Sequence, residues 1–228
     1  MISLSHVSKL FPKGVHALNH IDLNIEDGEF VYVIGATGSG KSTLVRILNA
    51  EEIPDTGTVM VNGVDVGKLK HRKIPKYRRQ IGCIFQDYRL LPSLTVAENI
   101  AFAMEVVGAS RKEIKKRVAE VLELVDLKDK ARSYPDELSG GQQQRVTIGR
   151  AIANHPKLLI ADEPTGNLDP EKSREIMDLL EKINQTYGTT IIMVTHDSTI
   201  VNDYKKRTIM LEGGFVVHDF AKGGYKSL

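Results

Sequence analysis

Phe30-Val31-Tyr32-Val33-Ile34-Gly35-Ala36-Thr37-Gly38-Ser39-Gly40-Lys41-Ser42-Thr43 is an apolar run that breaks into a glycine-rich loop, and a helix-like segment, Leu44 to Leu48, follows at once. The loop has the form G-x-x-x-x-G-K-[ST], a phosphate-binding pattern. Its glycines let backbone N–H groups turn inward around phosphate oxygens, and the helix behind it aims the positive end of its dipole at them. Within this loop Lys41 is expected to reach the β and γ phosphates of a nucleotide, and Ser42 to offer its hydroxyl to Mg²⁺.

The 228 residues, 41% of them hydrophobic, suffice for one sizeable core, either as a single domain or as a domain carrying a subdomain. A net charge of +2, with acids and bases interspersed, gives no strong pull toward nucleic acid. The single cysteine, Cys83, has no partner for an internal disulfide, fits a reducing compartment, argues against a metal site and reads as a small core residue. The N-terminus has no basic-then-apolar leader pattern, and no apolar run has the length of a bilayer span. A membrane role is therefore expected to come through a partner.

Upstream of the loop, residues 2–11 and 21–25 alternate loosely and read as strands, with Asp27-Gly28 as a turn. Phe11 lies where the chain can fold back beside a bound base. Downstream, residues 57–62 read as a strand closed by an Asn62-Gly63 turn. Residues 68–79, Lys-Leu-Lys-His-Arg-Lys-Ile-Pro-Lys-Tyr-Arg-Arg, form the most basic stretch. It reads as a solvated face, with anionic headgroups or an acidic partner as the alternatives. Only Tyr77 interleaves the charge, which argues against nucleic acid.

Residues 81–85 form a short apolar strand that delivers Gln86 to the carboxyl edge of a sheet, where open α/β folds bind ligands. Residues 96–107 and 111–125 then carry apolar residues at helical spacing, including Ile114, Val118, Leu122 and Val125. Gly108-Ala109 breaks the two, and Ser110 is placed to cap the second. Leu138-Ser139-Gly140-Gly141-Gln142 opens a further helix to about Asn154, stopped by Pro156. The run 158–163 has the form of a buried parallel strand ending in Asp162 and Glu163. A helix over 170–184, a strand over 189–194 ending at Thr195-His196-Asp197, and a hairpin of 207–212 and 215–220 complete the chain.

Parallel strands bring their carboxyl ends together, and four of these strands end in groups suited to nucleotide chemistry. Phosphoryl transfer requires a phosphate cradle, a metal ligand, a water-orienting residue and a γ-phosphate sensor. The loop at Gly35 is the cradle, and Asp162 suits the Mg²⁺ shell because hard cations take oxygen ligands. Glu163 is placed to deprotonate the attacking water, and His196 to touch the γ-phosphate. Ser139-Gly140-Gly141 is a second phosphate-friendly helix start, remote in sequence from the first, which a second copy of the chain is able to supply.

Taken together, the phosphate loop, Gln86, residues 138–142, the Asp162-Glu163 strand, Asn167-Leu168-Asp169 and His196 resemble the ATP-binding cassette (ABC) ATPase family in order and separation. The resemblance covers essentially the whole chain. It implies a P-loop NTPase nucleotide-binding domain over 1–228, with a RecA-like α/β core and antiparallel β subdomain in 1–86 and 155–228. A helical subdomain with the signature motif occupies about 87–154. It implies head-to-tail homodimers that sandwich two ATP, with Phe11 stacking on adenine and Gly35, Ala36, Thr37, Gly38, Ser39, Gly40, Lys41, Ser42 and Thr43 around its phosphates. Ser139, Gly140, Gly141 and Gln142 meet the nucleotide of the other protomer, and Asp169 sits at the dimer seam. Gln86 joins Ser42 and Asp162 around Mg²⁺, and Gln86, Glu163 and His196 form the hydrolytic set. Gly149 stands where Ala is more usual, which argues local close packing.

Residues 73–79, 86–92, 104–108 and 163–169 further resemble the branch of the family that acts in bacterial cell division. The last of these stretches is shared with lipoprotein-release and macrolide-export ATPases, which keeps an exporter subunit as the alternative. The division branch implies an integral membrane partner that docks near residues 86–92 and the helical insert; Leu90, Leu91 and Leu94 suit such docking as exposed apolar residues, with a core role as the alternative. It implies a peripheral position at the cytoplasmic face of the plasma membrane and no nucleic-acid partner.

Overall fold

Alternation decides the first sheet. In the computed structural model, which describes residues 1–12 and 14–223, Ile21, Leu23 and Ile25 are buried while Asp22 and Asn24 between them face solvent, the pattern of a half-buried strand. Strand β1, Ile2–Phe11, pairs antiparallel with β2, Val15–Ile25, and with β4, Thr56–Val61, which in turn pairs with β5, Val64–Asp65. Strand β2 begins six residues before the expected Ile21, because bulges hide its first half from a period-two reading. His6 and His20 both have positive φ at these bulges, and their amides are bonded by Asp22 Oδ1 at 2.8 Å and Ser8 Oγ at 3.0 Å. The Asn62-Gly63 turn joins β4 to β5 with φ of 49° and 78°, as a two-residue hairpin requires.

The chain divides into two compact units, Met1–Arg78 with Thr190–Leu228, and Arg79–Thr189. The first holds that antiparallel sheet together with a second layer. There β3, Phe30–Ile34, runs parallel to β8, Thr190–Val194, and to β9, Arg207–Glu212. Strand β10, Phe215–Phe220, closes a hairpin on β9. All five residues of β3 and of β8 are buried, which explains their unbroken apolar runs. Arg207 clamps the edge, donating from Nε and NH2 to both oxygens of Asp219 at 2.8 and 2.7 Å and from NH1 to Glu29 at 3.0 Å. Helix α1, Lys41–Leu48, follows β3. A turn at His71–Lys73 leads into α2, Ile74–Arg78.

The second unit pairs β6, Ile81–Phe85, parallel with β7, Leu158–Asp162. Cys83, expected in the core, is only partly buried on β6. Helices α3, Val96–Val106, and α4, Arg111–Leu124, are each started by a capping box, from Thr95 with Glu98 and from Ser110 with Glu113. Helix α5, Gly140–Ile152, packs against both, and Arg117 closes its far end by donating to the Ala153 and Ile152 carbonyls at 3.1 and 2.9 Å, a cation at the negative end of the dipole. Helix α6, Pro170–Tyr187, outruns the expected Asn184 and stops at Gly188, φ 62°. Helix α7, Ser198–Tyr204, lies in the first unit and has no counterpart in the sequence reading; its cap is Asp197, which accepts from the amides of Thr199 and Ile200.

Gly149 on α5 justifies its unusual identity. A Cβ there would lie 3.0 Å from Val121 Cγ1 on α4 and 3.2 Å from Ile100 Cδ1 on α3, and both neighbours are fully buried. β-Branched side chains have little rotamer freedom to yield. Overpacking of about 1–3 kcal/mol therefore exceeds the helix-propensity gain of up to about 1 kcal/mol. Gly149→Ala is expected to lower stability by about 1 kcal/mol in urea titration; a higher unfolding midpoint would show that the three helices have room to spare.

Candidate active site

In the first unit the phosphate loop is pinned by two backbone approaches that admit no side chain. A Cβ at Gly35, φ 144°, would fall 2.2 Å from the Leu211 carbonyl oxygen, and one at Gly40, φ 109°, would fall 2.4 Å from that of Ala17. Glycine alone tolerates both the φ values and the contacts. Helix α1 begins at Gly40 with no side-chain cap and no acid in its first turn, so its first amides remain for an anion. Lys41 Nζ donates to the carbonyls of Gly35 at 2.7 Å and Ala36 at 2.9 Å, which lays the ammonium across the loop it belongs to. Ser39 is buried, and its Oγ has no hydrogen-bond partner among the described residues. Uncapped amides, a poised ammonium and an unpartnered buried hydroxyl are the groups that a polyphosphate satisfies.

The register carries His196 to the same edge. Val33 pairs with Val194, and the Thr195 amide donates to the Val33 carbonyl at 3.3 Å, so β8 and β3 release Thr195-His196 and Gly35 side by side. Phe11 ends β1 half-buried, with the Lys9 ammonium 5.4 Å from its ring centroid.

In the second unit Phe85 pairs with Asp162, so Gln86 and Glu163 leave the two strands as neighbours. Glu163 has φ 49°, an uncommon conformation for a non-glycine residue that concentrates at functional sites. The turn after it is tight, with the Gly166 amide donating to the Glu163 carbonyl at 3.1 Å. Asn167 clasps Gln86 from there: its Nδ2 donates to the Gln86 carbonyl at 2.9 Å, and Gln86 Nε2 donates to Asn167 Oδ1 at 3.3 Å. A Cβ at Gly166 would lie 2.9 Å from Gln86 Nε2. Gln144, fully buried on α5, donates to the Pro164 carbonyl at 2.7 Å and ties the signature helix to the same turn.

Ser139 caps α5 reciprocally with Gln142, each side chain accepting from the other's amide. Its oxygen accepts there, which leaves its O–H to donate elsewhere. Asp169 accepts from the Lys172 amide at 2.9 Å as the cap of α6. Leu90, Leu91 and Leu94 are partly buried rather than open; the exposed apolar residues of α3 and its end are Phe102, Val106 and Val107.

The sequence reading missed the supports of the Gln86 loop. Asn99, fully buried, bonds the backbone of Leu91 in both directions and also the carbonyls of Leu94 and Thr95. Arg150 and Thr147 of α5 hold the Tyr88 carbonyl at 3.0 and 3.1 Å, and Arg150 also takes that of Arg89. Burial, with Arg89 nearby, lowers the Arg150 pKa, yet a guanidinium stays charged. A buried Asn in an otherwise apolar helix face was the available signal.

A buried strand entering a glycine-pinned loop, and a parallel pair releasing Gln86 beside an acidic strand end, define a nucleotide-handling α/β ATPase. The chain belongs to the ABC transporter family, whose sequence model matches residues 18–166, and it carries that family's ATPase domain. Within the family it is similar to the cell division ATP-binding protein FtsE of Bacillus subtilis, 54% identical over 100% of this chain and 99% of the relative. It is likewise 53% identical to FtsE of Mycobacterium tuberculosis, over 99% and 98%. Among solved structures it is similar to the dimeric post-hydrolysis state of the ATP-binding cassette MJ0796 bound to ADP and Pi, with TM-score 0.86 and 37% identity over 99% of this chain and 100% of that one.

The clasp on Gln86 generates a specific expectation. Asn167→Ala removes both bonds, together worth about 1 kcal/mol at a solvated site, and should lower phosphate release about fivefold while leaving ATP binding within about twofold. Unchanged turnover would make the clasp structural only.

Proposed function

We propose that this chain is the ATP-hydrolysing subunit of a bacterial cell-division complex. It acts as a pair of identical cassettes with an integral membrane partner of FtsX type, at the cytoplasmic face of the plasma membrane. The observation that carries this reading is the end-to-end likeness to FtsE proteins.

In this reading the loop amides and Lys41 hold the β and γ phosphates, with Phe11 against the base. The oxygen donors Ser42, Gln86 and Asp162 suit Mg²⁺, a hard cation that keeps waters and shares phosphate oxygens; when bound it supplies neutralisation of phosphate charge. Glu163 accepts the proton of a water whose oxygen bonds the γ-phosphorus as the β–γ bridging bond breaks and ADP takes the electron pair. Gln86 and His196 orient the water and the γ-phosphate. Glu163→Gln is expected to keep ATP binding, lower turnover by at least about a hundredfold and accumulate a nucleotide-bound dimer in size-exclusion chromatography. Undiminished phosphate release would remove Glu163 from the role of base.

Pairing is supported by Gly141. A Cβ there would meet Lys172 side-chain carbons no closer than 3.4 Å, an ordinary contact, so the chain's own packing does not demand glycine at a helical position where it costs up to about 1 kcal/mol. Close approach of a second protomer's phosphate gives that glycine its reason, and the free donor of Ser139 lies on the same helix start.

Membrane coupling is assigned to the second unit. A groove of about 410 Å³ between α3 and α4 is lined by Ala97, Ala101, Ile114, Val118 and Leu122, with Phe102 and Val106 exposed on α3. No helix among the described residues is long and apolar enough to cross a membrane; the membrane-spanning part of the proposed complex is the partner's. Affinity purification from membranes should return a division-type membrane protein, and Phe102→Glu should reduce that recovery severalfold while soluble ATPase activity stays within about twofold. Recovery of a transporter with a periplasmic adaptor would overturn the division role and leave the ATPase chemistry intact.

A further inference from the structure

We propose that the basic segment 68–78 is a docking surface for anionic phospholipid headgroups, an attachment additional to the membrane protein partner; this rests on the peripheral membrane position proposed above. Six of the chain's 31 Lys and Arg residues fall within residues 68–78, which contain no acid, and the rest of the chain holds 25 against 29 Asp and Glu. The segment is thus a concentrated positive site on a chain that is otherwise net acidic.

Its backbone is a fixed platform. Tyr77 is buried and donates its hydroxyl to the Leu48 carbonyl, and Arg78 donates to the carbonyls of Asn49 and Ala50, both at 3.0 Å. These contacts fasten α2 to the negative end of α1. From that platform Lys68, Lys70, His71, Arg72, Lys73 and Lys76 are exposed. Lys68 bonds Asp65 at 2.9 Å, which raises its pKa. Among the described residues Lys70, Arg72 and Lys73 form no ion pair.

The form of the site favours lipid over an acidic protein. Recognition of a fixed carboxylate pattern uses partly buried guanidinium groups aimed in forks, whereas here the cations stand on long exposed stems, and the one guanidinium with oriented bonds, Arg78, spends them on the α1 end. Flexible cations on a rigid base suit phosphates that diffuse in the plane of a bilayer. Leu69 and Ile74, half-buried among the charges, add apolar stems at the interface. Clusters of four to eight Lys and Arg bind anionic leaflets at about 1 kcal/mol per charge.

The test uses the full chain with vesicles of phosphatidylcholine alone or with about 40% phosphatidylglycerol. Co-sedimentation is expected only with the anionic vesicles and should be lost when salt rises from about 0.05 to about 0.5 M. Replacing Lys70, Arg72, Lys73 and Lys76 together by Gln should weaken it by about a hundredfold or more, with phosphate release unchanged. Equal sedimentation of the quadruple variant, or equal binding to neutral vesicles, would overturn the proposal, as would binding by wild type to an acidic partner protein with none to anionic vesicles. ATP hydrolysis and recovery of the membrane protein partner are scored separately, so a failure here is distinct from a failure of the division reading.

Discussion

Two backbone contacts that exclude a side chain hold the glycine-rich loop of the first unit in place. Gly35 lies against the Leu211 carbonyl and Gly40 against that of Ala17, so the loop is stamped between β9 and β2 before any ligand is considered. A methyl group at either position has no soft neighbour to displace, since both obstacles are main chain. The uncapped start of α1 and the placement of Lys41 follow from that fixed path. The electrostatic properties of the loop are therefore a consequence of packing, and the stability of the surrounding sheets underwrites its chemistry.

The second unit reaches its geometry by a different route. Strand register sets Gln86 next to Glu163, and hydrogen bonds from three directions hold what the strands release. Asn167 grips Gln86 from the following turn, Gln144 grips Pro164 from the signature helix, and Asn99 with Arg150 and Thr147 fixes the loop beyond Gln86. Most of these acceptors are carbonyls in an irregular segment, where the backbone lacks ladder partners and must find side chains. The helix start at Ser139 and the turn carrying Glu163 are thereby one connected piece, joined by the buried carboxamide of Gln144.

Much of this was legible in the sequence because the signals are local. Buried parallel strands read as unbroken apolar runs, Ser110 shows as a helix cap, and the Asn62-Gly63 turn declares its own φ values. The start of β2 was not legible, since bulges at His6 and His20 break the alternation on which such a reading depends. Helix α7 is short and carries little amphipathic pattern, so the sequence reading passed over it. The partners of Gln144 and Asn167 lie 20 and 81 residues away, and no local pattern encodes them; those of Asn99 lie within eight residues, in a loop with no periodicity to read. Gly149 was readable as a packing residue, while the identity of its neighbours, Val121 and Ile100, required the fold.

The ammonium of Lys41 rests on two carbonyls of its own loop, and this sets a threshold for entry. An incoming anion has to replace two neutral acceptors that are already well placed, so its advantage is only the difference between a charged and an uncharged acceptor. For a lone monoanion that difference is small, and the resident carbonyls compete well against it. A chain of phosphates engages the ammonium and several amides at once, spreading the exchange over many bonds. The loop thus sorts ligands by valency as well as by shape, which lets it ignore the inorganic ions that crowd any cell.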